Sequence, residues 1–215
     1  MTGLKGNPSI DASRHRVRVV PGFLVATMLA VIHDWERLSD ETLLRYKVFH
    51  VLKSRRRSPR TGADIGFFLL DTPDWVNVLP ITDDRQIVMV RQFRHGSGRV
   101  SLEIPGGLVD PGEAPDRAAA RELREETGYE AAQLEQIGVM NPNPSMMTNR
   151  CFAYLATGCR PVGGLCMDPG EDIEVVTVPV TGLDEMLGRG EIDHAIVLAT
   201  FAFWRSHEGR NSRGI

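Results

Sequence analysis

From Trp35 onward, apolar and polar positions alternate in short runs separated by turn signals. Tyr46 to Lys53 alternates and predicts a strand that runs into a turn at Arg55–Arg60. Ile65–Leu70 and Val76–Ile81 predict two more, and Asp83-Asp84 turns the chain into a fourth at Gln86–Phe93. Val100–Ile104 leads into Pro105. Past a central polar helix, strands are predicted at Gln136–Asn141, Cys151–Ala156 and Ile173–Val180, with a long Gly- and Pro-containing loop at Thr157–Asp172. Two helices close the chain, a short one near Leu183–Leu187 and a largely apolar one from about His194 to Trp204. Strands on both sides of a central helix, with hairpins, predict an α+β layered domain.

The central helix lies in the stretch Gly107 to Tyr129, GLVDPGEAPDRAAARELREETGY. Glu122, Glu125 and Glu126 are spaced i, i+3 and i+4, so a helix stacks them on one side. Like charges one turn apart repel. A cation offsets the repulsion, and carboxylate oxygens on a rigid helix suit Mg²⁺ or Mn²⁺. For an isolated E-x-x-E-E, a solvated acidic helix is the plain alternative. Pro115 fits the first turn and Gly128 the position past the end. Ala119, Ala120 and Leu123 are expected to form an apolar seam on a different side from the glutamates. Gly106, Gly107 and Gly112 permit a tight loop that folds back beneath the helix. Glu113 and Arg121 are expected to pair and brace that loop, since a guanidinium repels a metal but clamps a carboxylate.

Composition narrows the function classes. The 215 residues carry a net charge of -3, which leaves no basic excess for holding nucleic acid through its phosphates. Arg55, Arg56, Arg57 and Arg60 form the basic cluster and are expected in a solvated turn. Cys151, Cys159 and Cys166 are odd in number and lack C-x-x-C spacing, which fits a reducing cytoplasm better than a disulfide framework or a zinc site. Val19–Ile32 is free of charge, yet too short to span a bilayer and broken by Pro21-Gly22. No good A-x-A site follows it, so packing on the domain or on a partner subunit is expected, or an upstream extension with Met28 as the start.

The central stretch resembles the Nudix box, G-x5-E-x7-R-E-U-x-E-E-x-G-U with U apolar. Gly107, Glu113, Arg121, Glu122, Glu125, Glu126 and Gly128 fill every fixed position, with Leu123 and Tyr129 in the apolar slots. At about 5–7% usage per residue type, a chance match is on the order of 10⁻⁹ per start position. The resemblance implies an α/β/α sandwich with a mixed sheet, a divalent ion on Glu122, Glu125 and Glu126, and the Gly106 carbonyl as a further ligand. The preceding run, RQFRHGSGRVSLEIPGGLVD from Arg91 to Asp110, is similar to the lead-in of the ADP-ribose and nucleoside-diphosphate-sugar pyrophosphatase branch. Pro144 also stands near where that branch keeps a proline. In SMMTNR, Ser145 to Arg150, Asn149 replaces the acid that many ADP-ribose hydrolases carry.

That resemblance implies Mg²⁺-dependent hydrolysis of a nucleoside-diphosphate sugar, with no nucleic-acid or membrane partner. Arg91 and Arg94 are the expected diphosphate contacts, Arg94 the favoured one, because three residues along a strand point them to different sides. Asn149 and Arg150 are expected on the sugar side, and Glu171 as general base, joining Glu122, Glu125 and Glu126 as catalytic residues. Residues 1–34 read as an extension, 35–207 as the Nudix domain and 208–215 as a tail. A homodimer is expected, since the branch often pairs through N-terminal strands. The competing readings are hydrolysis of nucleoside triphosphates or dinucleoside polyphosphates, and a non-catalytic module that senses nucleotide sugars.

Overall fold

The computed structural model describes residues 32–165 and 172–211. The Val19–Ile32 segment up to residue 31, Cys166, Asp168 and the expected base Glu171 lie outside the described residues. The chain divides into two compact units, residues 32–40 with 54–67, and residues 41–53 with 68–211.

Three strands come first, β1 (Glu36–Arg45), β2 (His50–Arg57) and β3 (Asp64–Asp71), paired in that order. Their connecting loops are too short for a parallel crossover, so neighbours run antiparallel. The alternation at Tyr46–Lys53 spans two elements. The Tyr46 N–H reaches the Phe49 carbonyl at 2.9 Å in a tight turn, and the strand starts only at His50. It then continues through Arg55, Arg56 and Arg57, which are strand residues and not a solvated turn. Arg57 donates to Asp64 at 2.9 Å and to Glu36 at 3.2 Å, so acids on the neighbouring strands take up the charge. β1 was not predicted. Its sequence ERLSDETLLR is exposed along nearly its whole length, so it carries no apolar period to read.

The second unit holds β4 (Trp75–Thr82), β5 (Gln86–Arg94), β6 (Arg99–Glu103), β7 (Gly106–Leu108), α1 (Pro115–Thr127), β8 (Tyr129–Glu130), β9 (Gln133–Met140), β10 (Cys151–Pro161), β11 (Ile173–Pro179), α2 (Leu183–Arg189) and α3 (Ala195–Asn211). The sheet runs β11-β5-β4-β10-β8, with β6 on β5, β7 on β4 and β9 on β10. β4 and β10 are parallel, pairing Phe152 with Val76 and Tyr154 with Val78. The β4–β5, β5–β11 and β4–β7 pairs are antiparallel, so the sheet is mixed, as expected.

Strand alternation sorts the core onto two faces. Leu79 and Ile81 of β4, with Ala153 and Leu155 of β10, pack with Leu183 of α2 and with Val197, Phe201 and Trp204 of α3. Val76, Val78, Phe152, Tyr154 and Ala156 pack on Ala118, Ala119 and Leu123 of α1. Helices thus cover both faces, which gives the α/β/α sandwich. β10 continues to Pro161 and pairs with β8 there, so the irregular loop is shorter than the Thr157–Asp172 read from composition. α3 extends through Asn211, beyond the sequence-based domain end at residue 207.

Candidate active site

The site is built where α1 packs against β7, so Gly106 and Gly107, expected in a tight loop, are strand residues paired with Asn77 and Val76. Pro115 opens the helix, and Gly128 ends it in the left-handed region at φ 70°, its N–H bonding the Arg124 carbonyl. The apolar seam is Ala118, Ala119 and Leu123, with Ala120 exposed. Glu122 and Glu126 lie beside this seam and are buried, 9% and 3% exposed. The helix therefore presses two of its three clustered carboxylates against the protein. The rows 118–122–126 and 119–123 are adjacent on a helix, so seating one seats the other.

Two glycines let the carboxylates approach. A Cβ on Gly107 would stand 2.4 Å from Glu122 Oε1, and one on Gly106 would stand 2.3 Å from the Val76 carbonyl oxygen. The Gly106 N–H donates to Glu126 Oε2 at 3.0 Å. Arg121 gathers the remaining charge. Its Nε and Nη2 bond both oxygens of Glu113, at 3.0 and 2.9 Å, and Nη2 also reaches the Leu108 carbonyl at 2.9 Å. Its Nη1 donates to Glu122 at 2.8 Å and to Glu125 at 3.2 Å. The Arg121 clamp holds the Glu113 carboxyl below the usual carboxylate range, and those carboxylates hold Arg121 firmly protonated. Buried acids need such compensation.

Among the described residues, no three His, Cys, Asp or Glu side chains enclose a ready-made cation cage. In this conformation Arg121 draws Glu122 and Glu125 aside. The donor chemistry nevertheless fits a hard divalent ion, because Glu122 and Glu126 are seated against Gly106 and Gly107 of β7, where no side chain intervenes, and Glu125 stands one turn of helix away from Glu122.

Beside β7 opens a cavity of about 980 Å³, walled by Phe49, Trp75, Asn77, Phe93, Met147 and Ile196 among others, and reaching Gly106 and Gly107. Arg94 and Glu103 line it. The Glu103 carboxylate is only 2% exposed and takes Arg94 Nε at 2.8 Å and Nη2 at 2.7 Å. Burial alone would push this carboxyl up, but the hydrogen bonds and charge of Arg94 outweigh it and hold the group down.

The other expected substrate contacts are not part of this cavity's lining. Arg91 is outside the cavity lining and pairs with the exposed Glu174 on β11 at 3.4 Å, as the odd separation from Arg94 requires. Asn149 is 3% exposed and absent from the lining, held in the buried approach to β10. Arg150 turns to Asp74 at 2.7 Å and lies over the Phe152 ring. Sequence reasoning missed Glu103, Trp75, Asn77 and His194 as cavity residues. For Glu103 a signal existed, since a lone acid three residues before Gly106 ends a strand aimed at the box.

A sequence model of the NUDIX domain matches residues 72–201. Over 169 residues the chain is 34% identical to the ADP-ribose pyrophosphatase of Mycobacterium tuberculosis, covering 78% of this chain and 81% of that protein. Over 120 residues it is 34% identical to the ADP-sugar pyrophosphatase of Mus musculus, where the match spans 55% of the relative's length. A crystal structure of an ADP compounds hydrolase superposes with a TM-score of 0.73 at 24% identity, covering 86% of this chain and 99% of the other. The chain belongs to the Nudix family and is a Nudix hydrolase.

Proposed function

We propose that this chain hydrolyses the pyrophosphate bond of ADP-sugars, with ADP-ribose as the leading substrate, giving AMP and a sugar phosphate. The observation that carries this reading is the seating of Glu122 against Gly107 and of Glu126 against Gly106, next to a nucleotide-sized cavity holding Arg94. Relatives named as ADP-ribose and ADP-sugar pyrophosphatases support the substrate class.

Glu122, Glu125 and Glu126, with the Gly106 carbonyl, would hold Mg²⁺. When bound, that ion neutralises the diphosphate and brings a water towards nucleophilic pKa. Arg121 and Glu113 keep the loop under the helix, so that the carboxylates and β7 keep one spacing. Arg94 meets the diphosphate from the cavity side. Water forms a new bond to phosphorus, the bridging P–O bond breaks, and the proton passes to a loop acid. Glu171 is proposed for that acid; its neighbour Asp172 lines the cavity.

The proposal extends to assembly and setting. Leu44, Tyr46 and Phe68 are 52%, 51% and 65% exposed, a surface suited to a second copy of the chain. Cys151 and Cys159 are free thiols, which supports a cytoplasmic setting. Residues 35–211 are proposed as the catalytic domain, with the C-terminal boundary moved from 207 to the end of α3, preceded by an extension over 1–34. Chromatography of ADP-ribose incubated with protein and Mg²⁺ tests the reaction. AMP and ribose 5-phosphate in equal amounts are expected, and none after chelation. Intact ADP-ribose with Mg²⁺ present would sink the proposal.

A further inference from the structure

We infer that Glu103 is a positioning residue, which holds the Arg94 guanidinium beside β7 at the angle that meets the substrate diphosphate. This rests on the reading of the site as a diphosphate hydrolase. The strand register carries the argument. Glu103 stands opposite Val90 across β5 and β6, and Arg94 stands opposite Arg99. Arg94 is thus four residues further along β5 than the Glu103 partner, roughly 13 Å of strand at the usual rise. The even separation puts both side chains on one side of the sheet. Instead of standing out from its own position, Arg94 folds back along the strand until its fork closes on Glu103 at 2.8 and 2.7 Å.

The place it reaches matters. Glu103 is three residues before Gly106, and Arg94 and Glu103 line the same cavity as Gly106 and Gly107, against which Glu122 and Glu126 are seated. Nearby arginines behave differently. Arg91 pairs with the exposed Glu174, and Arg99 with Asp193, both through carboxylates that water reaches freely. Only the Arg94 partner is nearly sealed, at 2% side-chain exposure. A sealed carboxylate held by both oxygens fixes a planar fork far better than an exposed one. A fixed donor meets a phosphate without the entropy lost in ordering a mobile side chain.

Charge neutralisation makes the opposite prediction, which allows a clean test. If Glu103 only cancelled Arg94, removing it would tighten diphosphate binding. Positioning predicts weakening. Calorimetric titration with α,β-methylene-ADP, which carries a diphosphate that cannot be cleaved, reads this directly, with adenosine as control. In Glu103→Gln the affinity for α,β-methylene-ADP is expected to fall about tenfold with adenosine unchanged. The KM for ADP-ribose is expected to rise in proportion, with kcat held within about threefold. Arg94→Lys keeps the charge but loses the fork, and the double variant should bind no more weakly than either single one.

Unchanged or tighter diphosphate binding by a cooperatively folded Glu103→Gln protein overturns the inference. If that variant does not fold, Glu103→Asp shortens the reach and should show the same loss; retention of wild-type affinity there overturns it equally. Wild-type protein that binds α,β-methylene-ADP through this pair yet leaves ADP-ribose intact refutes the hydrolase reading and spares the positioning one.

Discussion

Gly106 and Gly107 are neighbours, but a methyl group at each would strike different things. At Gly107 it meets the side-chain carboxylate of Glu122, whereas at Gly106 it meets the Val76 backbone oxygen at 2.3 Å. A side-chain tip can swing away cheaply and a strand backbone cannot. Gly107→Ala is therefore expected to lower the melting temperature less than Gly106→Ala does, while displacing the Glu122 carboxylate and cutting kcat. Gly106→Ala is expected to destabilise by about 1–3 kcal/mol. Paired melts and turnover on the two variants check this, and equal destabilisation would contradict it. Glu126→Gln keeps the Glu126 shape and its access to the Gly106 N–H, so the fold should persist while turnover drops about a hundredfold or more. Near-normal rates in both Glu122→Gln and Glu126→Gln at saturating Mg²⁺ would refute the carboxylate assignment. The glutamate face was readable because helical spacing alone stacks its members. Asn149 was not, because only the tertiary course of the chain into β10 buries it.

At the scale of elements, the loop before α1 is tied to the helix through Glu113 and Arg121. The Glu113 carboxyl is held below its ordinary 4.5, mainly by its hydrogen bonds from Arg121. A depressed carboxyl stabilises fully above its unfolded value and loses that contribution as pH falls through the folded one. Glu113→Gln is thus expected to lower stability by about 1–3 kcal/mol near neutrality. The gap from wild type should close as pH drops below 4.5, as melts across that range will show. A gap that widens in acid would contradict the sign. Elements with one apolar face, such as β4 and β10, were legible because burial imposes alternation on them. β1 was not, since most of its positions face water. The end of β10 was missed because Gly158 and Pro161 read as loop residues, although pairing with β8 carries the strand past Gly158 and up to Pro161.

For the whole molecule, burial pushes the Cys151 thiol to about 12 and the Cys159 thiol to about 11. Few thiolates form at pH 8 in such groups, so these two cysteines should resist a thiol reagent in the folded state and react once denatured. Fast native modification of either, located by peptide mapping, would contradict their placement in the core. Light scattering at micromolar concentration should give twice the chain mass, and the chain mass alone would remove the dimer. The site reading itself is tested most directly by measuring kcat/KM for ADP-ribose and for ATP side by side, in wild-type protein and in Glu126→Gln, with Mg²⁺. The account predicts that wild type prefers ADP-ribose and that Glu126→Gln loses activity on both substrates alike. Preference for ATP would contradict the substrate class, and an undiminished Glu126→Gln rate on ADP-ribose would contradict the active site.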